Sequence, residues 1–298
     1  MAKLKGKKEQ YYFLPGGSQC AGCASLLTAK LALKEIFDTR RETIVMGSTC
    51  GSGMSPLIPS GLGLRDSTAA ALTAALEIRG INKAVVSFSG EGQLLDMGFD
   101  DLSGAFERGF KYMQVCFDNE AYASSGGHRT GTTSLGAKTK IHLQGKPTRA
   151  KIPALMLIFN GAAYTATASP AYVDDFREKI RKGMQHMPSF IHITTPCITS
   201  WGFDPEYSVL LARLMVETGA FPLYEYCEGV FRRTVRVENP KPLEELLGYQ
   251  RRFRGIDKDP DALNLLKKSN EDFNRIIDRL EIAFQDGSAG GNGKPLPG

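Results

Sequence analysis

Between Lys83 and Asn119 the chain reads KAVVSFSGEGQLLDMGFDDLSGAFERGFKYMQVCFDN: an apolar run, a glycine turn, a helical stretch, then a second apolar run. Two short apolar runs joined by a helical crossover pair as neighbouring parallel strands. Parallel strands are buried on both faces, so helices must cover the sheet on either side. The same alternation continues through ETIVMGSTC, YTATASPAYVDDFREKIRKGMQ and SFIHITTPC, with a further short strand expected at RRTVRVE. Helical spacing of apolar residues marks Ala21 to Phe37, STAAALTAALEIRG and Pro260 to Phe284. The expected fold class is α/β, a parallel sheet covered by helices on both faces.

The segment GSGMSPLIPSGLGLRDS reads as a loop, and Glu120 to Lys151 lacks periodicity altogether. An unstructured stretch of that length inside a compact domain carries function or moves. Residues 1–18 are expected to form an arm, residues 19–284 one domain with a C-terminal helical extension, and residues 285–298 (QDGSAGGNGKPLPG) a disordered tail. No apolar run approaches the roughly 20 residues that span a bilayer. The N-terminus MAKLKGKKEQ lacks the apolar stretch of a secretory signal, so a cytoplasmic location is the expectation. A net charge of +5 without any nucleic-acid-binding signature argues against DNA or RNA as partner.

Ligands of open parallel sheets collect at the carboxyl ends of the strands, where glycines admit a phosphate close to the backbone. Gly90-Glu91-Gly92 lies at one such end and Asn119 at the next. Glu91 offers a hard oxygen donor and Asn119 a carbonyl oxygen, a donor set that suits magnesium. Taken singly, a G-E-G triplet is better explained by a tight strand-to-helix turn with a solvated glutamate. Six cysteines are present: Cys20, Cys23, Cys50, Cys116, Cys197 and Cys227. Cys20-Ala-Gly-Cys23 precedes a helix, while Cys50 and Cys197 end apolar runs near the same sheet edge. Four such thiolates suit a structural zinc or an iron–sulfur cluster, and spacing alone leaves both open. Cys116, inside MQVCF, and Cys227 read as structural.

Gly90-Glu91-Gly92 followed by Asn119 resembles the diphosphate signature of thiamine diphosphate enzymes, with Glu in place of the usual Asp. DMGFDDLSGAFERG, DNEAY, ATASPAY, PSFIHITTPC and FPLYEY, in this order, resemble the β subunits of 2-oxoacid:ferredoxin oxidoreductases such as pyruvate:ferredoxin oxidoreductase. The resemblance spans roughly residues 12 to 280. It implies a thiamine diphosphate site at Gly90, Glu91, Gly92, Asn119, Ala121 and Tyr122, with Mg2+ on Glu91, Asn119 and the Ala121 carbonyl. It further implies a 4Fe–4S cluster on Cys20, Cys23, Cys50 and Cys197. The implied reaction is the coenzyme A-dependent oxidative decarboxylation of a 2-oxoacid, a part of anaerobic metabolism that passes electrons to ferredoxin or another acceptor. The implied partners are an α subunit, which brings the glutamate that activates the cofactor, a γ subunit and a ferredoxin-like δ subunit.

Pyruvate-type relatives read N-E-A-Y-x-N-T-G where this chain reads DNEAYASSGGH, which puts Ser124 in the place of a substrate-facing Asn. The shorter side chain predicts room for a 2-oxoacid bulkier than pyruvate, such as phenylglyoxylate. His128 and Arg129 stand as candidate substrate or diphosphate contacts, whereas His192 and Trp201 read as structural. The competing class is a non-redox thiamine diphosphate-dependent decarboxylase subunit whose cysteines are only structural.

Overall fold

A computed structural model describes residues 19–40, 42–47, 61–62 and 66–285. The expected arm, residues 286–298 of the tail, and Cys50 lie outside the described residues. The strands are β1 (Thr43–Gly47), β2 (Gly61–Leu62), β3 (Ala84–Gly90), β4 (Tyr112–Asp118), β5 (Tyr164–Ala168), β6 (Ser189–Thr194), β7 (Tyr224–Cys227) and β8 (Val230–Arg233). The helices are α1 (Ala24–Thr39), α2 (Asp66–Ile78), α3 (Phe99–Glu107), α4 (Pro153–Ile158), α5 (Val173–Gln185), α6 (Ser208–Glu217), α7 (Leu243–Gly248) and α8 (Pro260–Gln285). Among the described residues the strands form one sheet in the order β2-β1-β3-β4-β6-β5-β7-β8. None of the described helices is long and apolar enough to cross a membrane.

Side chains alternate across the sheet as strand geometry requires. Met113, Val115 and Phe117 of β4 join a cluster with Leu33 and Ile36 of α1 and Phe176 and Ile180 of α5. Tyr112 and Cys116 of the same strand face the other way, toward Leu102 and Phe106 of α3 and Ile277 of α8. Helices therefore do cover both faces. Cys116 is wholly buried, as its place in the apolar run implies.

The sheet is parallel from β2 to β5, and then reverses. β7 runs antiparallel to β5, and β8 antiparallel to β7. β7 and β8 are joined by a two-residue hairpin at Glu228-Gly229, both with positive φ (46° and 91°), as a type I′ turn demands. The expected strand RRTVRVE is accordingly displaced: β8 ends at Arg233, and the chain leaves the sheet after Thr234, whose N–H donates to the Leu223 carbonyl. The expected loop 51–67 also contributes the short edge strand β2, paired with β1.

β3 and β4 pair in parallel with Gly90 opposite Phe117. The residues that follow each strand, Glu91 and Asn119, are thereby delivered to one edge. β6 ends beside them, with Thr194 opposite Asp118.

Lys179 on α5 is buried under this sheet. Its ammonium donates to the Thr167 carbonyl (2.8 Å), Asp175 (2.6 Å) and Thr234 (2.7 Å). Burial nevertheless pulls its pKa down from 10.5 to about 8. Between those values the unfolded chain holds a proton that the folded chain has released, so stability rises with pH. We expect a gain of about 3 kcal/mol from this group between pH 8 and 10.5, absent in Lys179→Met. Denaturant titrations of both proteins across that range check it; parallel pH profiles would refute it.

Candidate active site

Glu91 follows the last residue of β3 and is only 1% exposed. Its carboxylate faces the turn after β4: Oε1 accepts the Ala121 N–H at 2.7 Å, and Oε2 accepts the Asn119 N–H at 3.4 Å. The Asn119 Oδ1 accepts the same Ala121 N–H at 3.0 Å. Two side-chain oxygens from two strand tips thus converge on one amide. Burial, with the Asp118 carboxylate nearby, pushes the Glu91 carboxyl well above the usual carboxylate range. A divalent cation would restore the charged form, so the donors fit an oxygen-ligated ion. Among the described residues no three His, Cys, Asp or Glu side chains stand close enough to hold one metal ion. The implied Mg2+ set draws on an amide and a backbone carbonyl beside its single carboxylate.

Gly92 has its own reason to be glycine. A Cβ there would overlap the ring of Tyr122. The Tyr122 hydroxyl donates to the Gly92 carbonyl at 3.1 Å and to Asp96 at 3.2 Å. Burial and Asp96 push that phenol up to about 12. Asp96, on the π-helical turn Gln93–Met97, also accepts the Gly131 N–H at 2.8 Å and the Lys151 ammonium at 2.7 Å. The loop after Asn119 is thereby fastened to the glycine turn.

Ser124 lies exposed on a single 3-10 turn, Ala123–Ser125. The backbone of His128 pairs with Tyr122, its carbonyl accepting the Tyr122 N–H at 2.9 Å. The His128 Nδ1 is buried without a partner. Arg129 is exposed and lines a cavity of about 310 Å3 together with Asp96, Lys146, Arg149 and Lys151. His192 is buried and bonded to Asp118 at 2.6 Å, in keeping with a structural role.

Cys20 and Cys23 flank a tight turn at the start of α1, the Cys23 N–H donating to the Cys20 carbonyl at 3.1 Å. Cys197 precedes the π-helical turn Ile198–Gly202. Burial pushes the Cys23 thiol up, with smaller contributions in the same direction from Cys197 and Cys20. Cys20 is exposed and the other two are half-buried. Sulfur is the donor type that a cluster takes, and the turn carrying Cys20 and Cys23 packs at Gly22 against Pro205, in the segment after Cys197.

The family model described as "Thiamine pyrophosphate enzyme, C-terminal TPP binding domain" matches residues 52–193. The chain is 37% identical, over 85% of its length and 93% of the relative's, to the pyruvate synthase subunit PorB of Methanothermobacter marburgensis. The chain belongs to the β subunits of the 2-oxoacid:ferredoxin oxidoreductases. Its similarity to the ketoisovalerate oxidoreductase subunit VorB of Pyrococcus horikoshii is 33% identity over 91% of this chain and 94% of that one. A chain of the 2-oxoglutarate:ferredoxin oxidoreductase from Magnetococcus marinus shares the fold at a TM-score of 0.61 and 17% identity, covering 87% of this chain and 97% of that one.

Around the family's signature, several participants carry no motif of their own. Trp201, read from sequence as packing, is fully buried, yet its Nε1–H also donates to the Asn119 carbonyl at 2.8 Å. Arg252 stacks on Trp201 and pairs with Glu120 at 2.8 Å. Glu120 adjoins Asn119 and was within reach of sequence reasoning; Arg252, far along the chain, was not. For the β-subunit glycine turn we expect Gly92→Ala to displace Tyr122 and cost about 1–3 kcal/mol through overpacking. Tyr122→Phe, which removes only hydrogen bonds, should cost about 1 kcal/mol. Unfolding in denaturant measures both, and a neutral Gly92→Ala would overturn the packing account.

Proposed function

We propose that this β subunit binds thiamine diphosphate through a Mg2+ held by Glu91, Asn119 and the Ala121 carbonyl. We further propose that it carries a 4Fe–4S cluster on Cys20, Cys23, Cys50 and Cys197. The observation that carries the first half is the convergence of Glu91 and Asn119 on the Ala121 amide. When bound, thiamine diphosphate supplies the carbanion that adds to the keto carbon of a 2-oxoacid and retains the electron pair as carbon dioxide leaves. The chain's own part is to hold the cation, to keep the turn after β4 in place and to position thiolates beside it. Gly90 and Gly92 let the backbone approach the diphosphate, and Tyr122 braces the turn from the other side. The acyl group passes to coenzyme A and the electrons to ferredoxin, within an assembly that includes α, γ and ferredoxin-like δ subunits.

Ser124, on the exposed turn after Tyr122, is the residue through which substrate size would be read, and its small side chain favours a 2-oxoacid larger than pyruvate. A second reading, pyruvate itself, has the support of relatives such as the Methanothermobacter marburgensis protein, named as pyruvate synthase subunits. Steady-state rates with pyruvate, ketoisovalerate, 2-oxoglutarate and phenylglyoxylate separate the two; clear preference for pyruvate removes the Ser124 proposal.

The complex, purified anaerobically, is expected to contain thiamine diphosphate, iron and sulfide, and to reduce ferredoxin when given a 2-oxoacid and coenzyme A. Glu91→Gln should weaken Mg2+ binding by more than about 100-fold, beyond the range usual for outer partners of a metal. Cys197→Ser should lower the iron content while leaving thiamine in place. Full iron in that variant would exclude Cys197 as a ligand, and unchanged Mg2+ affinity in the first would exclude Glu91.

A further inference from the structure

Asn119 and Cys197 belong to turns at the tips of the adjacent strands β4 and β6, and one indole joins them. Trp201 is the only tryptophan in the chain. Its backbone N–H donates to the Cys197 carbonyl at 2.8 Å, and its Nε1–H to the Asn119 carbonyl at 2.8 Å. The Arg252 guanidinium lies over the indole, 3.9 Å from the ring centre. Arg252 is buried, and it donates to Glu120 at 2.8 Å through Nη1 and to Gln250 at 2.8 Å through Nε. Glu120 also accepts the Ser134 N–H at 2.8 Å and the Ser134 hydroxyl at 2.7 Å. It holds φ at +57°, a left-handed backbone that a non-glycine residue keeps only where its surroundings impose it. Arg252 thus joins the carboxylate beside Asn119 to the indole of the turn that follows Cys197.

We propose that Trp201 and Arg252 are positioning residues that lock the Asn119 turn to the Cys197 turn, fixing the separation of the oxygen and sulfur donors. Neither need touch substrate. A one-electron transfer between two centres falls steeply with their distance, and the hydrogen bonding and burial around a cluster tune its potential. A rigid link between the turns controls both quantities. The inference rests on the thiamine and cluster reading above.

The test uses the intact, anaerobically purified complex with Trp201→Phe, and with the double variant Glu120→Gln/Arg252→Met. The double variant removes the ion pair without leaving either charge buried alone. The readouts are the Mg2+ dissociation constant, from titration in saturating thiamine diphosphate, and the midpoint potential of the cluster, from redox titration followed by electron paramagnetic resonance. We expect full thiamine and iron content, a Mg2+ dissociation constant raised about tenfold or more, as for other outer partners of a metal, and a displaced midpoint potential. Trp201→Phe decides alone where the double variant fails to assemble. Wild-type values for either readout in a fully loaded Trp201→Phe complex overturn the coupling and leave the parent reading intact. A wild-type subunit without iron or thiamine overturns both.

Discussion

Glu91 is a carboxylate with almost no access to water, placed at the tip of a central strand. Burying such a group is expensive unless something compensates its charge. The fold supplies two amide donors, from Asn119 and Ala121, and a neighbouring carboxylate that works against ionisation. What remains is a group short of positive charge, facing the point where the parallel pairing of β3 and β4 also delivers Asn119. The rest of the edge is organised around keeping that point intact.

The loop from Glu120 to Lys151 has almost no regular structure, yet buried backbone groups must still find partners. Acidic side chains provide them. Asp118 accepts the Glu120 N–H and the Thr132 hydroxyl; Glu120 accepts from Ser134; Asp96 accepts the Gly131 N–H. Several carboxylates in so small a space repel one another, and cations offset them: Lys151, at the loop's own end, at Asp96, and Arg252, from far along the chain, at Glu120. Lys146 ties the same loop through the Gly131 and Thr133 carbonyls, at 2.7 Å each. Burial holds its ammonium down to about 8. A loop held this way is ordered by side chains, which explains why no periodicity announced its conformation.

What could be read from sequence was whatever lies within one strand–helix–strand unit. The two apolar runs around Gly90-Glu91-Gly92 determine that Glu91 and Asn119 share an edge, because parallel strands present like ends together. Helices on both faces follow from strands such as β4, which are buried throughout. The antiparallel edge escaped because its turn uses Glu228 at positive φ where Asn or Asp is the usual signal. The Arg252–Glu120 pair escaped for a different reason: its partners are 132 residues apart, and neither a period nor a motif connects them. Trp201 was legible as a buried aromatic, but not as a donor, since its partner is a backbone carbonyl.

The sulfur side is built on another principle. Cys197 owes its place to the end of β6, but the Cys20–Cys23 turn is not set by any strand. At Gly22, φ is +76° and an added Cβ would fall 2.7 Å from the Pro205 carbonyl oxygen, so the turn is pressed directly against the segment after Cys197. The Ser208 hydroxyl donates to the Gly22 carbonyl at 2.6 Å and fixes the contact. The Cys20–Cys23 turn is therefore held against the segment after Cys197 by loop docking rather than by sheet register. Glu91 and Asn119 inherit the rigidity of β3 and β4; the Cys20–Cys23 turn depends on Gly22, Pro205 and Ser208. The two halves meet through Trp201, whose ring is held between the turn that carries Cys197 and the carbonyl of Asn119.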